Sequence, residues 1–216
     1  MDTDALIEQL PGATEALRAL ARRGTVRPYT KGRLLIEEGE VGDTLFIILA
    51  GRLRAFAGGD NGREITFGSY GPGEYVGEMS LDGGPRSASV EALARSVCAV
   101  VTRRTLEAFI AERPDFAFEL IGKLIRRARA ATLSARQMAL NDVYGRLRLL
   151  LESTAQVQPD GSRKSSEVPS HLQTAHRIGC SREMVSRLLK DLERGGYLER
   201  LTDGSVRLLQ ALPHRW

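Results

Sequence analysis

The sequence contains little cysteine and no long hydrophobic run. Two cysteines, Cys98 and Cys180, stand among 216 residues, too few for a disulfide framework or, on their own, for a four-ligand metal site. No apolar stretch approaches the roughly 20 residues that a membrane-spanning helix needs, and the N-terminus lacks the basic and then apolar pattern of a signal peptide. We therefore expect a cytoplasmic protein with no membrane partner and with no metal, haem or iron–sulfur cluster.

Histidine is scarce as well. The three histidines, His171, His176 and His214, are scattered and do not have the spacing of a metal site. No Ser–His–Asp set or pair of carboxylates has a supporting context, so we expect no enzyme activity. With 42% hydrophobic and 27% charged residues, the chain has the composition of one large globular domain or two small ones.

The net charge is +4, but its distribution is more informative than its sum. The segment 31–91 is rich in acidic residues and glycines, whereas the segment 122–148 has one acidic residue, Asp142. Such asymmetry is typical of a chain with a sensing part and a part that binds nucleic acid. The basic residues of the second segment are Lys123, Arg126, Arg127, Arg129, Arg136, Arg146 and Arg148.

Short apolar or alternating runs, separated by glycines, fill the segment from Val26 to Thr102. Turn signals such as 58–62 and 71–73 divide them. This pattern predicts an all-β sandwich or barrel. The predicted strands lie at 34–36, 45–49, 53–56, 65–70, 87–92 and 97–101.

Helical patterns lie on both sides of this β segment. Asp142 is a natural N-cap for a helix that starts at residue 143, and the polar segment 156–169 is predicted to be a loop. A domain boundary is expected at 140–142. The predicted helices cover 4–23, with a break at Pro11-Gly12, then 103–111, 116–140 and 143–154.

The long helix carries apolar and small residues at alternating steps of four and three, which is the heptad spacing of a coiled-coil seam. One interpretation is that the helix packs on its own β domain. The sustained period and the flanking arginines favour pairing with a second copy, so we expect a homodimer. The seam residues are Ala117, Ile121, Leu124, Ala128, Ala131, Ala135 and Met138.

The C-terminal part has a helix-turn-helix pattern. A short helix at 171–178 ends at Gly179, and a second helix with Ser181 as N-cap runs to Arg194. A hairpin around Asp203-Gly204 is predicted to follow.

The second of these helices is amphipathic at about 100° per residue. Its polar face can read DNA, because Arg grips a guanine edge and Glu accepts from the amino group of cytosine. The alternative is a solvated face with a Glu183–Arg187 ion pair. The apolar face holds Met184, Val185, Leu188, Leu189 and Leu192, and the polar face Arg182, Glu183, Ser186, Arg187 and Lys190.

Two motifs in this chain resemble those of bacterial cyclic AMP receptor protein/FNR-type transcription regulators. Residues 179–187, GCSREMVSR, resemble the recognition helix of that family. Residues 77–81, GEMSL, followed by PRSA at 85–88, resemble its phosphate-binding cassette. The motifs occur in the family's order, and the resemblance covers essentially the whole chain.

The resemblance implies an α+β fold in three parts. Residues 1–115 would form a β-roll, which is a cyclic-nucleotide-binding jelly roll. Residues 116–141 would form the dimerisation helix and hinge, and residues 142–216 a winged helix-turn-helix. The implied function is that of a homodimeric transcription regulator that binds double-stranded DNA and contacts RNA polymerase.

The resemblance also implies an effector site. Arg86 would pair with a cyclic-nucleotide phosphate and Glu78 would accept from the ribose 2′-OH, and cyclic AMP is the effector that we expect first. In one alternative, Arg86 and Glu78 form a structural ion pair and no effector is needed; in another, cyclic di-GMP is the effector. A remote alternative is a regulatory module of an enzyme or channel. The matched residues are Gly77, Glu78, Met79, Arg86, Ser87 and Thr132.

Motif matching assigns base reading to Arg182, Glu183 and Arg187. Family members with this set read a half-site that resembles TGTGA, so we expect TGTGA-N6-TCACA. The chain departs from the family at Thr174, where an apolar residue is usual, and we expect this to affect how the first helix packs. The full set of predicted DNA contacts is Ser170, Ser181, Arg182, Glu183, Ser186, Arg187 and Lys190.

Overall fold

The computed structural model describes residues 3–59, 64–159, 161–165, 170–202 and 205–216. The chain divides into two units. The first comprises Met1–Ala57 and Thr66–Arg129, and the second comprises Gly58–Ile65 and Ala130–Trp216. Among the described residues, no helix is both long enough and apolar enough to cross a membrane.

The β segment forms two four-stranded sheets, as the alternating sequence predicts. Their strands are β1 (Thr25–Tyr29), β2 (Leu34–Ile36), β3 (Thr44–Ala50), β4 (Leu53–Gly58), β5 (Glu64–Tyr70), β6 (Tyr75–Val76), β7 (Ser89–Ala92) and β8 (Ser96–Thr102). One sheet has the order β1-β8-β3-β6 and the other β2-β7-β4-β5. The strands β1 and β6 were not predicted, and residues 60–62 of the predicted turn lie outside the described residues.

Strand β3 is buried on both of its faces, which explains why its sequence is a continuous apolar run rather than an alternating one. Leu45, Ile47 and Leu49 pack in one core cluster with residues of the surrounding helices. Phe46 and Ile48 point the other way, into a second cluster between the two sheets. The predicted cassette follows β6, directly beside this inter-sheet layer.

The predicted helices are present, with bounds that differ by a few residues. They are α1 (Thr3–Glu8), α2 (Glu15–Arg22), α3 (Arg103–Glu112), α4 (Asp115–Leu140) and α5 (Val143–Thr154), then α6 (His171–Ile178) and α7 (Arg182–Arg194). Asp142 caps α5 as predicted, since its side chain accepts a hydrogen bond from the backbone N–H of Gly145.

The prediction of a loop over 156–169 is wrong in part. Two short strands, β9 (Gln156–Val157) and β10 (Arg163–Ser165), lie in this segment. They join β11 (Leu198–Arg200) and β12 (Val206–Leu208) in a sheet of order β11-β12-β10-β9. The hydroxyl of Ser165 is buried in this unit and donates to Thr154 Oγ1 at 2.8 Å. Residues 203 and 204, where a turn was predicted, lie outside the described residues.

The helix-turn-helix is built as its sequence predicts. Ser170 and Gln173 form a capping box at the start of α6, and Gly179 ends that helix in the left-handed conformation with φ of 66°. Ser181 caps α7 by accepting from the N–H of Met184. Thr174 is buried and lies in α6, beside buried Ala175 and Ile178. The polar residue at this position is therefore compatible with a packed helix.

Candidate functional site

Arg86 is held in place by the loop that joins β2 and β3. The backbone N–H of Arg86 donates to Glu40 O at 2.8 Å, and its carbonyl accepts from Gly39 N at 2.9 Å. An isolated bridge between Val41 and Pro85 continues this pairing. These backbone bonds fix the guanidinium of Arg86 beside the start of β3.

The guanidinium of Arg86 is buried and is bound by neutral acceptors. Nη1 donates to Thr44 O at 3.0 Å, to Gly77 O at 2.8 Å and to Ser80 Oγ at 2.7 Å, and Nη2 donates to Thr44 Oγ1 at 2.9 Å. No carboxylate among the described residues forms an ion pair with it. Burial lowers the pKa of Arg86, although Asp43, Glu40 and Glu78 oppose this effect at longer range. A buried cation with no paired anion is a favourable place for an anionic ligand.

One edge of this guanidinium is not used by the four hydrogen bonds. Thr44 accepts hydrogen bonds from both terminal nitrogens. The side of the guanidinium that carries Nε and the second proton of Nη2 therefore makes no hydrogen bond with Thr44, and Nε has no acceptor among the described residues. Gly42 lies against this edge. A Cβ at that position would lie 2.8 Å from both Nε and Nη2, so only glycine fits beside this edge without displacing the guanidinium.

Glu78 provides an acceptor beside the same glycine that Arg86 contacts. The side chain of Glu78 is 1% exposed, and its Oε1 accepts a hydrogen bond from Nη1 of Arg127. Nη2 of Arg127 donates to Tyr75 O. Oε2 is buried and has no hydrogen-bond partner among the described residues. An unpaired buried carboxylate oxygen is costly, so this atom is suited to accept from a ligand hydroxyl.

The structure brings most of the predicted cassette together. Gly77 has φ of 93°, a left-handed conformation that only glycine adopts easily, and places Glu78 next to the Arg86 guanidinium. Met79 and Ser87 are exposed. Thr132 is an exposed residue of α4 and belongs to the second unit, so its effector contact stays a prediction.

Sequence reasoning missed three residues of this site: Thr44, Ser80 and Arg127. Arg127 was noted only as a member of the basic segment. Its guanidinium also lies over the ring of Tyr70, at 4.6 Å from the centroid. The available signals were weak: Thr44 stands at the start of an apolar strand, and Ser80 lies inside the cassette motif.

The residues present fit a cyclic nucleotide. The unpaired Nε of Arg86 can donate to a phosphate oxygen, and Oε2 of Glu78 can accept a hydrogen bond from a ribose hydroxyl. By contrast, no group of His, Cys, Asp and Glu residues in the described part of the chain is arranged to hold a metal ion. Cys98 is buried, and burial raises the pKa of its thiol to about 12, which makes it unreactive.

Helix α7 of the second unit presents the polar face predicted for DNA recognition. Val185, Leu188, Leu189 and Leu192 are buried in the core of this unit. The opposite face is exposed, and its residues are Arg182, Glu183, Ser186, Arg187 and Lys190.

The alternative of a Glu183–Arg187 ion pair is wrong for this structure. Within the described ranges, neither Glu183 nor Arg187 has an ion-pair or side-chain hydrogen-bond partner, and Arg182 has none either. Near this face, burial lowers the pKa of His171, and the charges of Arg200 and Arg182 lower it further. The side chains of Arg182, Glu183 and Arg187 are therefore available to a ligand such as DNA.

Arg146 ties the end of α4 to the helix-turn-helix within the second unit. Its Nη1 donates to Asn141 O at 2.7 Å and its Nε donates to Ile178 O at 2.7 Å. Both acceptors are carbonyls at or next to the C-terminal end of a helix, where cations are favoured.

The predicted seam of α4 is not buried in the single chain. Only Phe116 of this helix is buried. Ile121, Ala128, Ala131 and Ala135 are exposed, whereas Ala117, Leu124 and Met138 are partly buried. Exposed Phe118 and Ile125 extend the apolar surface. An apolar stripe of this kind is suited to contact with another helix.

Comparison with known proteins identifies the family. The model for the cyclic nucleotide-binding domain matches residues 26–113, and that for bacterial regulatory proteins of the crp family matches residues 174–198. The chain belongs to the Crp/Fnr family. It is thus a Crp-family transcription regulator with a cyclic nucleotide-binding domain and a helix-turn-helix.

Two relatives match nearly the whole chain. The CRP-like cAMP-activated global transcriptional regulator of Mycobacterium tuberculosis is 30% identical over 195 residues, which cover 88% of this chain and 87% of the relative. The cyclic AMP receptor protein of Thermus thermophilus is 32% identical over 186 residues, which cover 86% of this chain and 84% of the relative.

A solved structure shows the same fold. It is that of the c-di-GMP responsive global regulator CLP of Xanthomonas campestris, with a TM-score of 0.75 and 23% sequence identity. The match covers 90% of this chain and 98% of the other.

Proposed function

We propose that this Crp/Fnr protein is a homodimeric regulator whose DNA binding is gated by a cyclic nucleotide, with cyclic AMP as the first candidate. The observation that carries the proposal is the pair of open groups in the cassette. Arg86 offers its Nε, which has no acceptor among the described residues, and Glu78 offers the buried acceptor Oε2. A phosphodiester next to a ribose hydroxyl matches both groups.

Cyclic AMP is favoured over cyclic di-GMP by the relatives of higher identity. The two proteins at 30% and 32% identity are named for cyclic AMP. The regulator that responds to c-di-GMP is 23% identical, a level that indicates a shared fold only. One phosphate fork and one hydroxyl acceptor also match a ligand with a single phosphate.

The rest of the proposal assigns a role to each part of the chain. Residues 1–115 sense the effector, residues 116–141 form the dimerisation helix and hinge, and residues 142–216 bind DNA. Arg182, Glu183 and Arg187 read a TGTGA half-site, and two half-sites form TGTGA-N6-TCACA on the two-fold axis of the dimer. Contact with RNA polymerase is part of the proposal because transcription regulators of this family act on that enzyme.

Fluorescence anisotropy tests the proposal. A labelled TGTGA-N6-TCACA duplex and a scrambled duplex are titrated with protein at one fixed salt concentration, with and without cyclic AMP, because salt alone changes such affinities strongly. We expect cyclic AMP to tighten binding to the first duplex only. Equal affinity for both duplexes would refute the proposed DNA site. Tight specific binding that ignores cyclic AMP and cyclic di-GMP would refute gating.

A second candidate is a regulator that binds DNA without an effector. The observation in its favour is that Arg86 already has four protein hydrogen bonds, so its burial does not depend on a ligand. Under this candidate, Arg86 stabilises the cassette, and Arg86→Lys lowers stability without changing DNA affinity. The anisotropy experiment distinguishes the two candidates directly.

A further inference from the structure

Polar side chains occupy inward-facing positions at one end of the first unit's two-sheet layer. Such positions are normally apolar, because the side chains between two sheets form the core. Strand register places Thr25 opposite Val100, Val100 opposite Phe46, and Thr44 opposite Thr102. Phe46 and Val100 belong to or pack against the inter-sheet core. The three threonines therefore lie on the same face at the rim of the layer, where Thr44 is partly buried and Thr25 and Thr102 are exposed.

A cavity lies at this end of the layer, where the apolar core stops. Its volume is about 350 Å³, within the usual range of small-molecule sites. Phe46, Leu34 and Leu35 supply apolar wall, and Thr25, Thr44 and Thr102 supply hydroxyls. Thr44 is shared with the effector site, but none of Gly77, Glu78, Arg86 and Ser87 lines the cavity.

Two arginines, Arg27 and Arg33, also line this cavity. Among the described residues, neither has an ion-pair or side-chain hydrogen-bond partner. Tyr29 lies beside them, and burial raises the pKa of its phenol, which remains a hydrogen-bond donor at neutral pH. The polar side of the cavity is thus rich in donors and carries positive charge.

Thr44 joins the cavity to the cassette. Its carbonyl and hydroxyl oxygens each accept a hydrogen bond from Arg86, at 3.0 Å and 2.9 Å. A hydroxyl that accepts from a guanidinium still has its own proton to donate, and no described residue accepts it. A ligand acceptor in the cavity can take that proton.

We propose that this cavity binds a small organic acid. Its apolar body lies against Phe46 and Leu35, and its carboxylate is held by Arg27 and Arg33. The two guanidinium groups favour a negatively charged ligand. The apolar wall of the cavity favours a ligand with an apolar body, and the cavity volume limits the size of the ligand. Because Thr44 is shared, the bound acid alters the environment of Arg86 through one residue.

The test uses sodium phenylacetate as the probe and the full-length protein without nucleotide or DNA. Amide chemical shifts are followed during titration at constant ionic strength. We expect saturable shifts that centre on the cavity, around Thr25, Thr44 and Thr102. In the Arg27→Ala/Arg33→Ala variant, affinity should fall at least about tenfold, as expected for lost charge-assisted hydrogen bonds. The matched control Arg95→Ala removes an exposed arginine outside the cavity and should leave affinity unchanged.

Thr25→Phe provides a variant that keeps both arginines but fills the cavity, and it should abolish the saturable shifts. The proposal is overturned if phenylacetate causes no saturable shift at the cavity in the unmodified protein. It is also overturned if the double arginine variant or Thr25→Phe binds with unchanged affinity. Since the readout uses neither nucleotide nor DNA, its failure is distinguishable from failure of the proposed gating.

Discussion

The carboxylate of Glu78 binds the guanidinium of Arg127 and not that of Arg86. The alternative that Arg86 and Glu78 form a structural ion pair is therefore wrong. Arg86 keeps an Nε without an acceptor among the described residues, and Glu78 keeps one oxygen without a donor. The cassette thus contains a donor and an acceptor that do not satisfy each other.

The first prediction concerns Arg86. Arg86→Ala should remove the nucleotide response, because the fork that holds the phosphate is lost. It should also lower the free energy of unfolding by about 1–3 kcal/mol, since buried acceptors such as Ser80 Oγ lose their donor. Calorimetric titration with cyclic AMP and urea unfolding measure the two effects.

Arg86→Lys is the matched control, because it keeps the charge without the planar fork. Relative to Arg86→Ala, Arg86→Lys should restore a larger share of the free energy of unfolding than of the nucleotide affinity. If cyclic AMP binds Arg86→Ala as well as the unmodified protein, Arg86 does not hold the phosphate.

The second prediction concerns base reading by α7. Arg182→Ala and Arg187→Ala should each cost about 1–3 kcal/mol of discrimination between the TGTGA duplex and a scrambled one. The reason is that both guanidinium groups are exposed and have no partner in the described part of the chain. Anisotropy titrations with the two duplexes at several salt concentrations measure this difference.

Lys190→Ala and Arg194→Ala serve as comparisons on the same helix. Lys190 is assigned to a phosphate contact. Lys190→Ala should weaken binding to both duplexes equally and should lower the slope of log affinity against log salt concentration by about 1. Arg194 lies in the last turn of α7, and its substitution should have the smaller effect. An Arg182→Ala protein with unchanged discrimination would show that this residue contacts backbone only.

The third prediction concerns oligomeric state. Ile121 is 48% exposed in the single chain, although it stands in the predicted apolar seam. Ile121→Asp should give monomers, because dimer formation would bury the new charge. Light scattering measures the molar mass, with Arg126→Asp as control on a neighbouring polar position of α4. If the Ile121→Asp protein is still a dimer, the dimer interface does not include this position.

The fourth prediction is a pH dependence of stability. The pKa of His171 is lowered from its ordinary value of 6.5 by burial and by Arg200 and Arg182. As pH falls below about 6.5, the unfolded chain takes up a proton before the folded one, so stability decreases. Above that pH, the contribution of neutral His171 to the free energy of unfolding is fully present.

Urea unfolding between pH 7 and pH 5 measures this effect. The unmodified protein should lose more free energy of unfolding over this range than His171→Gln. Equal losses in the two proteins would mean that His171 has the same pKa in both states.

The sequence predicts the second unit well where structure depends on local contacts. The N-caps Asp142 and Ser181 and the capping box at Ser170 involve atoms three residues apart. The division of α7 into two faces follows from the helical period alone. Such features need no knowledge of the remaining chain.

The effector cassette and the second unit's small sheet were less predictable because they depend on distant partners. Arg127 binds Glu78 across 49 residues of sequence, and neither residue indicates the other. Strands β9 and β10 are short and polar and form only because β12 pairs with β10. The polar Thr174 is buried because its neighbours on α6 belong to the core of the second unit.

Gly42 is required by a contact with a side chain and not by its own backbone conformation. Its φ lies outside the left-handed region, so the backbone there could accept any residue. What requires glycine is the guanidinium of Arg86, which a Cβ would meet at 2.8 Å. A side chain at position 42 would therefore displace this guanidinium without straining its own backbone. Substitution of Gly42 thus tests the placement of Arg86 and not the conformation of the loop that carries Gly42.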